Sequence, residues 1–595
     1  MAYELIPYNG GLEITGNGTA ISRITAANLA TLVPTLTVQD EGKIFYQTDT
    51  NVYCYWDGAA IQVLPTTGSS SDRQVIFNDN GVFAGNAGLT YNKSVQQLTV
   101  GTFIDIWKGL LQDSTSTGVG TNTLNTSVAG ATGNTAIGYR SMYRIFTGAN
   151  NTAVGVSTLS ANFMSGSGNV AVGVQALLGN STGNNAVAVG AFALSNAALT
   201  GGNNVAVGFN SAASLTTGYN NVAVGYYSMA GANNTGINNI AIGVNAMDSS
   251  GPVSGTDNIS IGRLTCSTLT SGVNNVTVGL VSGQFLTTGS NNAFFGLGCG
   301  RSITTGDKNI AVGDSAIGNN TVPSTGSNNI AVGTLSMYSS AAVTGSDNVG
   351  IGRDTFRNLS SGAGNIAIGP TALNAIASTS FCIAIGNNAL AAYTGADTVA
   401  IGVNALAANT SGAENVAIGR SALVSLTTGN YCTAVGFQAA TSNTANNTTA
   451  FGRRALYSNT SGANNTGFGM NTLFSNVTGI GNTAIGYTAL SSVNANYNTA
   501  IGHSSLDVAS GAYNTAIGAG AGQVQTAGNS NIFLGANSRG PNLNDSNQIC
   551  IGSTTEWVGT NGAPNTYFGA AGASLGYWRV VINGTTRKIQ VYADV

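Results

Sequence analysis

Charge is what this chain of 595 residues has least of: Asp, Glu, Lys and Arg together make up 7%, against about a quarter in an ordinary soluble protein. A net charge of −3 and a pI near 5.1 leave no basic footprint, so no nucleic-acid partner is expected. Little charge does not mean disorder. Disordered chains combine low hydrophobicity with high net charge, whereas 43% of these residues are hydrophobic. A single histidine, His503, excludes a His-rich metal site and speaks against a Ser-His-Asp triad. No apolar run reaches the length of about 18 residues that spans a bilayer, so no membrane insertion is expected. The start, Met1 to Pro7, has neither the basic region nor the apolar run of a secretion signal. A soluble product, not exported by the usual signal route, is the expectation.

What is abundant is glycine, 83 residues, and much of it is periodic. A unit reading T-G-x-N-N-[VTI]-A-[VI]-G-x-x-A-L recurs from Gly120 to Gly552, its closing glycine returning about every 17 residues across about 26 coils. Gly138, Gly155 and Gly173 are three such anchors. The residue before each anchor is apolar (Ile137, Val154, Val172) and the one before that is mostly Ala. Alternation with period 2 marks a short strand with a bulky face and a small-residue face. The anchor suits a tight bend. A Leu or Met four residues past it, as at Leu159 and Leu177, would wall a thin core. Four residues before it, Asn134, Asn151 and Asn169 occupy a slot from which stacked Asn side chains can form a ladder.

Strand, bend, strand and turn in one unit make a coil that cannot bury its own apolar face and must stack. The fold class is therefore all-β, a parallel β-solenoid. At about 4.8 Å per coil it would form a rod roughly 120 Å long. The Ala-lined face is expected to admit close approach of another chain, which favours a parallel homotrimer.

The core Asn134-Thr135-Ala136-Ile137-Gly138, repeated as Asn498-Thr499-Ala500-Ile501-Gly502, resembles the coil motif of trimeric autotransporter adhesin heads. That resemblance implies a trimeric left-handed β-roll. Arrays of the GxNNVAVG kind are also similar to those of bacteriophage tail fibres. The flanks favour the second likeness. Glu41 to Gly58, Gln74 to Asp79 and Ala84 to Tyr91 resemble modules familiar in phage fibres, and Trp578 to Thr585 resembles a closing hairpin of such proteins. The signal and anchor barrel that an autotransporter requires are not expected here.

Four regions follow. Residues 1–65 form a β-rich attachment module, with Ile44–Gln47 and Val52–Trp56 as a hairpin. Residues 66–117 are a linker and short-strand connector, in which Ile104 to Leu111 reads equally as helix or strand. Residues 118–553 are the solenoid shaft. Residues 554–595 are a tip in which Asn583-Gly584 joins two strands.

Candidate chemistry is sparse. Of six cysteines, Cys382 and Cys432 take the ladder slot, Cys550 the Ala slot before the anchor, Cys299 the Ala slot after it and Cys266 the Leu slot. They read as small buried hydrophobes, and Cys54 as a free thiol in the first hairpin. No zinc spacing is visible. His503 reads as a surface turn residue. Acids such as Asp314, Asp354 and Glu414 show no recurrence at coil spacing, so the paired carboxylates of a glycosidase are not expected. Catalytic residues, cofactors and metals are expected to be absent. Residues directly after the anchor, Tyr139, Phe209, Tyr226, Phe437 and Tyr487, with Arg263, Arg353, Arg420 and Arg453 elsewhere in that slot, either cover coil edges or contact a host surface. Trp557, Tyr567, Tyr577, Trp578 and Tyr592 form a second candidate surface at the tip or pack within it.

The resemblance implies a non-enzymatic tail-fibre or spike protein located on the virion, outside cells, and assembled in the host cytoplasm. Its partners would be further copies of itself, a tail or baseplate protein at the N-terminus, and a host-surface glycan or protein. A bacterial surface adhesin or filament protein is the alternative, and a polysaccharide depolymerase the third reading.

Overall fold

The computed structural model describes residues 115–124, 131–160, 164–196, 199–318, 322–539, 544 and 546–551 in full. It also describes the backbone of strands between residues 4 and 107 and between 576 and 591. Contacts divide the chain into two compact units, Met1–Tyr227 and Ser228–Val595.

The first unit opens with antiparallel strands. Glu4–Tyr8 pairs with Gly11–Thr15, and the expected hairpin of Ile44–Gln47 and Val52–Trp56 is present, extended by Ile61–Val63. Asp72–Asp79, Val82–Asn92, Gln97–Val100 and Ile104–Trp107 then form an antiparallel meander. Of the two readings of Ile104 onward, the strand is the one realised, over Ile104–Trp107. Ile104–Trp107 pairs antiparallel with Thr117–Val119, whose other edge begins a parallel ladder. Six turns of about 17 residues carry that ladder from Thr117–Val119 to Val222–Val224. The second unit carries eighteen more, from Ile240–Ile242 to Ile549–Ile551, and a hairpin of Gly576–Ile582 with Thr585–Val591. Ile582 pairs with Thr585, so Asn583-Gly584 is the two-residue turn expected of that dipeptide. No helix occurs among the described residues.

Each turn is built from three-residue strands in strict register: Thr135, Ala136 and Ile137 lie beside Thr152, Ala153 and Val154. The anchor glycine ends the strand with φ of +139° at Gly155, and a methyl there would collide with the Gly173 carbonyl of the next turn. The chain must bend where backbone meets backbone, and only glycine does both. Gly155 N–H donates to Ile137 O at 2.8 Å, and Ser157 N–H to Tyr139 O at 2.8 Å, both in the preceding turn. Leu159 N–H donates forward to Ala176 O at 3.0 Å. Leu159 itself has φ of +48°, and Leu177 has +53°, a left-handed geometry costing an L-residue about 1–2 kcal/mol. Complete burial of these side chains offsets that cost.

The Asn ladder forms as expected. Asn134 Oδ1 accepts from both the backbone N–H of Asn151 (2.9 Å) and its Nδ2 (3.1 Å). Asn151 Oδ1 repeats this toward Asn169 at 2.9 and 3.0 Å. The Nδ2 groups of Asn134, Asn151 and Asn169 also reach glycine carbonyls, as Asn151 does at Gly166 O, 3.0 Å. A buried amide satisfied on every side fixes register without an unpaired polar group.

Within the core, volume is conserved between turns. Phe294 fills an Ala slot, and the facing Leu slots there hold Gly283 and Gly300. Phe533 pairs with Gly522 in the same way, and Phe356, in a Leu slot, pairs with Gly350 in the Ala slot. Phe294→Ala is expected to cost about 3–5 kcal/mol through the cavity it leaves. Gly300→Leu alone should also destabilise, because its side chain would enter the Phe294 ring. The double variant should be more stable than the single effects predict, by about 1–3 kcal/mol of coupling in a denaturation cycle.

Candidate functional surface

Which side of each strand faces the core is settled by size. The interior is narrow, so the central small residue points inward: Ala136, Ala153 and Ala171 are fully buried. The bulky neighbours point out, with Ile137 41% exposed and Val172 36%. The expectation of an outward Ala face open to another chain is therefore corrected. The outer face is instead made mainly of Val, Ile and Phe one residue before each anchor and of Val, Ile or Thr three residues before it.

The residue after the anchor joins that face, because the glycine bend keeps the next side chain on the outer side. Tyr139, Phe209, Tyr226, Phe437 and Tyr487 are all exposed, up to 51% at Tyr226. Successive turns bring some of them together. Phe209 stacks on Tyr226 with centroids 5.5 Å apart, and Tyr487 on His503 at 5.2 Å. Arg420 and Arg453 each lie 6.0 Å from the Phe437 ring centroid, a cation–π sandwich across three turns. One column over, Phe451 and Phe468 stack at 4.7 Å. His503 is thus a surface turn residue within an aromatic column. Trp557, Tyr567 and Tyr592 lie outside the described residues, as do the side chains of Cys54, Tyr577 and Trp578.

Two columns hold features not singled out from the sequence. Seven residues past the anchor lies a buried position that alternates Leu or Ile with Asn: Leu269, Leu286 and Ile303 in some turns, Asn443, Asn459 and Asn476 in others. Asn476 Nδ2 donates to Asn459 Oδ1 at 2.9 Å, making a second short ladder. This position repairs the first ladder where it fails. Cys382 and Thr398 interrupt the Asn run, and Tyr393 fills the gap with its hydroxyl 2.7 Å from Thr398 Oγ1 and 2.7 Å from Ala396 O. The pair Cys432 and Thr448 recurs three turns on, and there Asn443 Oδ1 accepts from Thr448 Oγ1 at 3.3 Å. The other column lies five residues before the anchor, on the outside. It places Asp397 and Glu414 in the same slot of adjacent turns, which corrects the expectation that no acid recurs at coil spacing.

The five described cysteines are free and buried in the slots expected of them. Cys382 and Cys432 keep the ladder contact through backbone, their N–H groups donating to Asn365 and Asn415 Oδ1 at 2.9 and 2.8 Å. Burial pushes the thiols of Cys299 and Cys382 from the usual 9.0 up to about 11, and thiolate is the reactive form. These five thiols are expected to resist aromatic disulfide reagents at pH 8 in the native protein and to react once it is denatured. Folding holds these protons more tightly than the open chain does, so their stabilisation is complete below pH 9.0 and fades as pH rises toward about 11. A melting temperature that falls between pH 8.5 and 10.5, less so after Cys299→Ala and Cys382→Ala, checks this.

Among the described residues no group of three or more His, Cys, Asp or Glu is placed to hold a metal. No helix among them is long and apolar enough to cross a membrane. No protein-family profile matches the chain, and no curated protein is similar to it.

Proposed function

We propose that this chain is a non-enzymatic structural protein, the shaft of a bacteriophage tail fibre or spike that attaches to the host cell surface. The observation that carries the reading is the outer face. Turn after turn presents Val, Ile, Phe or Tyr to the outside, although the backbone is bonded from turn to turn. Apolar columns of that extent are characteristic of surfaces that associate. The partner is a further copy in the same register, giving a parallel homotrimer as in the adhesin heads the coil motif resembles. The flanking modules supply the assignment to a phage: the N-terminal one joins a tail or baseplate protein, and the distal end meets a glycan or protein of the host.

Light scattering on the purified chain is expected to give three times 59.6 kDa; a monomeric mass would overturn the trimer. Gold-labelled antibody against the chain is expected to decorate the tails of phage particles. Decoration of bacterial cell surfaces alone would favour the adhesin, and sugar release from host envelopes would favour the depolymerase.

A further inference from the structure

From Gly133 to Asn547 the slot five residues before the anchor is held in left-handed conformation, and Asn or Asp is its common occupant, as at Asn203, Asn220, Asp257 and Asn274 (φ +57° to +58°). That choice has a physical reason, since Asn and Asp tolerate this geometry best after glycine. Within the second unit Gly364 and Gly481 need no such tolerance, Lys308, Glu414 and Ser530 are polar exceptions, and the four remaining exceptions are aromatic. Phe381, Tyr431, Tyr497 and Tyr513 have φ of +60°, +60°, +54° and +61°. Burial does not compensate for the strain. They are 70%, 59%, 47% and 60% exposed, and Phe381, Tyr431 and Tyr513 are the three most exposed large hydrophobic residues among those described.

The rings also lie on prepared ground. In the turn beneath Phe381 the same slot holds Gly364, and a methyl on it would touch the Phe381 ring at 3.0 Å. Beneath Tyr497 it holds Gly481, where a methyl would meet the ring at 2.6 Å. Tyr513 then stacks on Tyr497 with centroids 5.1 Å apart and planes at 17°. The backbone of each is tied to the turn below, as by Tyr497 N–H to Ile480 O at 2.8 Å and Phe381 N–H to Ala363 O at 3.1 Å. Between the rings the same column carries Asp397 and Glu414, then Asn447 and Asn464. Strained, exposed side chains held in place by their surroundings are a mark of function.

We infer that this column, from Phe381 to Tyr513, is a binding strip for a neutral carbohydrate chain. Exposed ring faces match the C–H faces of pyranose rings, and the intervening carboxylates and amides accept and donate hydrogen bonds to hydroxyl groups. A protein partner fits less well, because its interface requires a contiguous apolar centre, and these rings are separated by polar residues. The strip is distinct from the apolar columns assigned to self-association. It deepens the attachment reading and rests on it for its biological meaning.

Native affinity electrophoresis of the full chain tests it, in gels containing dextran, a β-glucan or a galactan. Retardation by at least one of the three is expected. Phe381→Asn, Tyr497→Asn and Tyr513→Asn combined should reduce it at least tenfold, while melting at the same or a higher temperature, since Asn is what the column uses elsewhere. No retardation in any gel, or equal retardation of the triple variant, overturns the strip. A triple variant with altered mass in light scattering also overturns it, in favour of a contact between copies. Cell adsorption separates the two readings. Adsorption of wild type and triple variant with equal strength sinks the strip alone, and retardation by polysaccharide without adsorption to any host sinks attachment alone.

Discussion

Gly402→Ala is expected to break the solenoid locally. Gly402 has φ of +140°, and a methyl there would lie 2.5 Å from the carbonyl carbon and oxygen of Gly419 in the next turn. The backbone strain and the overpacking are each of order 1–3 kcal/mol. Neither is relieved by a side-chain rotation, because both partners are main chain. Turns contact only their neighbours in such a stack, so the damage should stay near the substitution. Limited proteolysis followed by mass spectrometry is expected to show a new cleavage site within a turn or two of residue 402. Gly251→Ala is the control, since its methyl would meet only Thr270 Cγ2 at 3.9 Å. Unchanged protease resistance of the Gly402 variant would refute the view that backbone crowding dictates this column.

Asn275→Ala is expected to have a comparable cost by a different route. Asn275 Nδ2 donates to Asn258 Oδ1 and to Gly289 O, both at 2.9 Å. Its Oδ1 accepts from the backbone N–H and the Nδ2 of Asn292, both at 3.0 Å. Removing the amide leaves the Asn292 N–H and the Gly289 carbonyl buried without those partners, at about 1–3 kcal/mol for each group. The replacement also opens space in a packed interior. Asn274→Gly, one residue away on the outside, should be nearly neutral, because its side chain makes only a long exposed contact of 3.4 Å to Asn291. Urea denaturation of the two variants reads the difference. Equal midpoints would show that the ladder follows from register and does not hold it.

The contrast between those two asparagines marks how far the sequence could be read. The repeat, its anchor bend, the ladder and the inward Leu were legible because each is one residue type returning at one spacing. Alternation along Thr135–Ile137 showed that two faces exist but not which is inner, since period 2 carries no sign. The interior resolves this by admitting Ala136 and excluding Ile137. The second ladder was hidden because Leu269 and Asn459 share a column, so no single residue type recurs. Phe294 with Gly300 was hidden because the compensation is made in space. The aromatic strip was masked by the asparagines that usually occupy its slot. Left-handed Leu159 had no local signal at all, because Leu ordinarily avoids that geometry.

The glycine columns also carry a mechanical consequence. Within each unit the strand and ladder bonds run from one turn to the next, and at each anchor the backbone of one turn rests on that of its neighbour. A load that pulls turns apart acts on a few hydrogen bonds at a time, in series, so the terminal turn yields first and the next one after it. A load that presses them together meets stacked main chain, with no side chain between to give way. The array is built to bear thrust and to peel under tension.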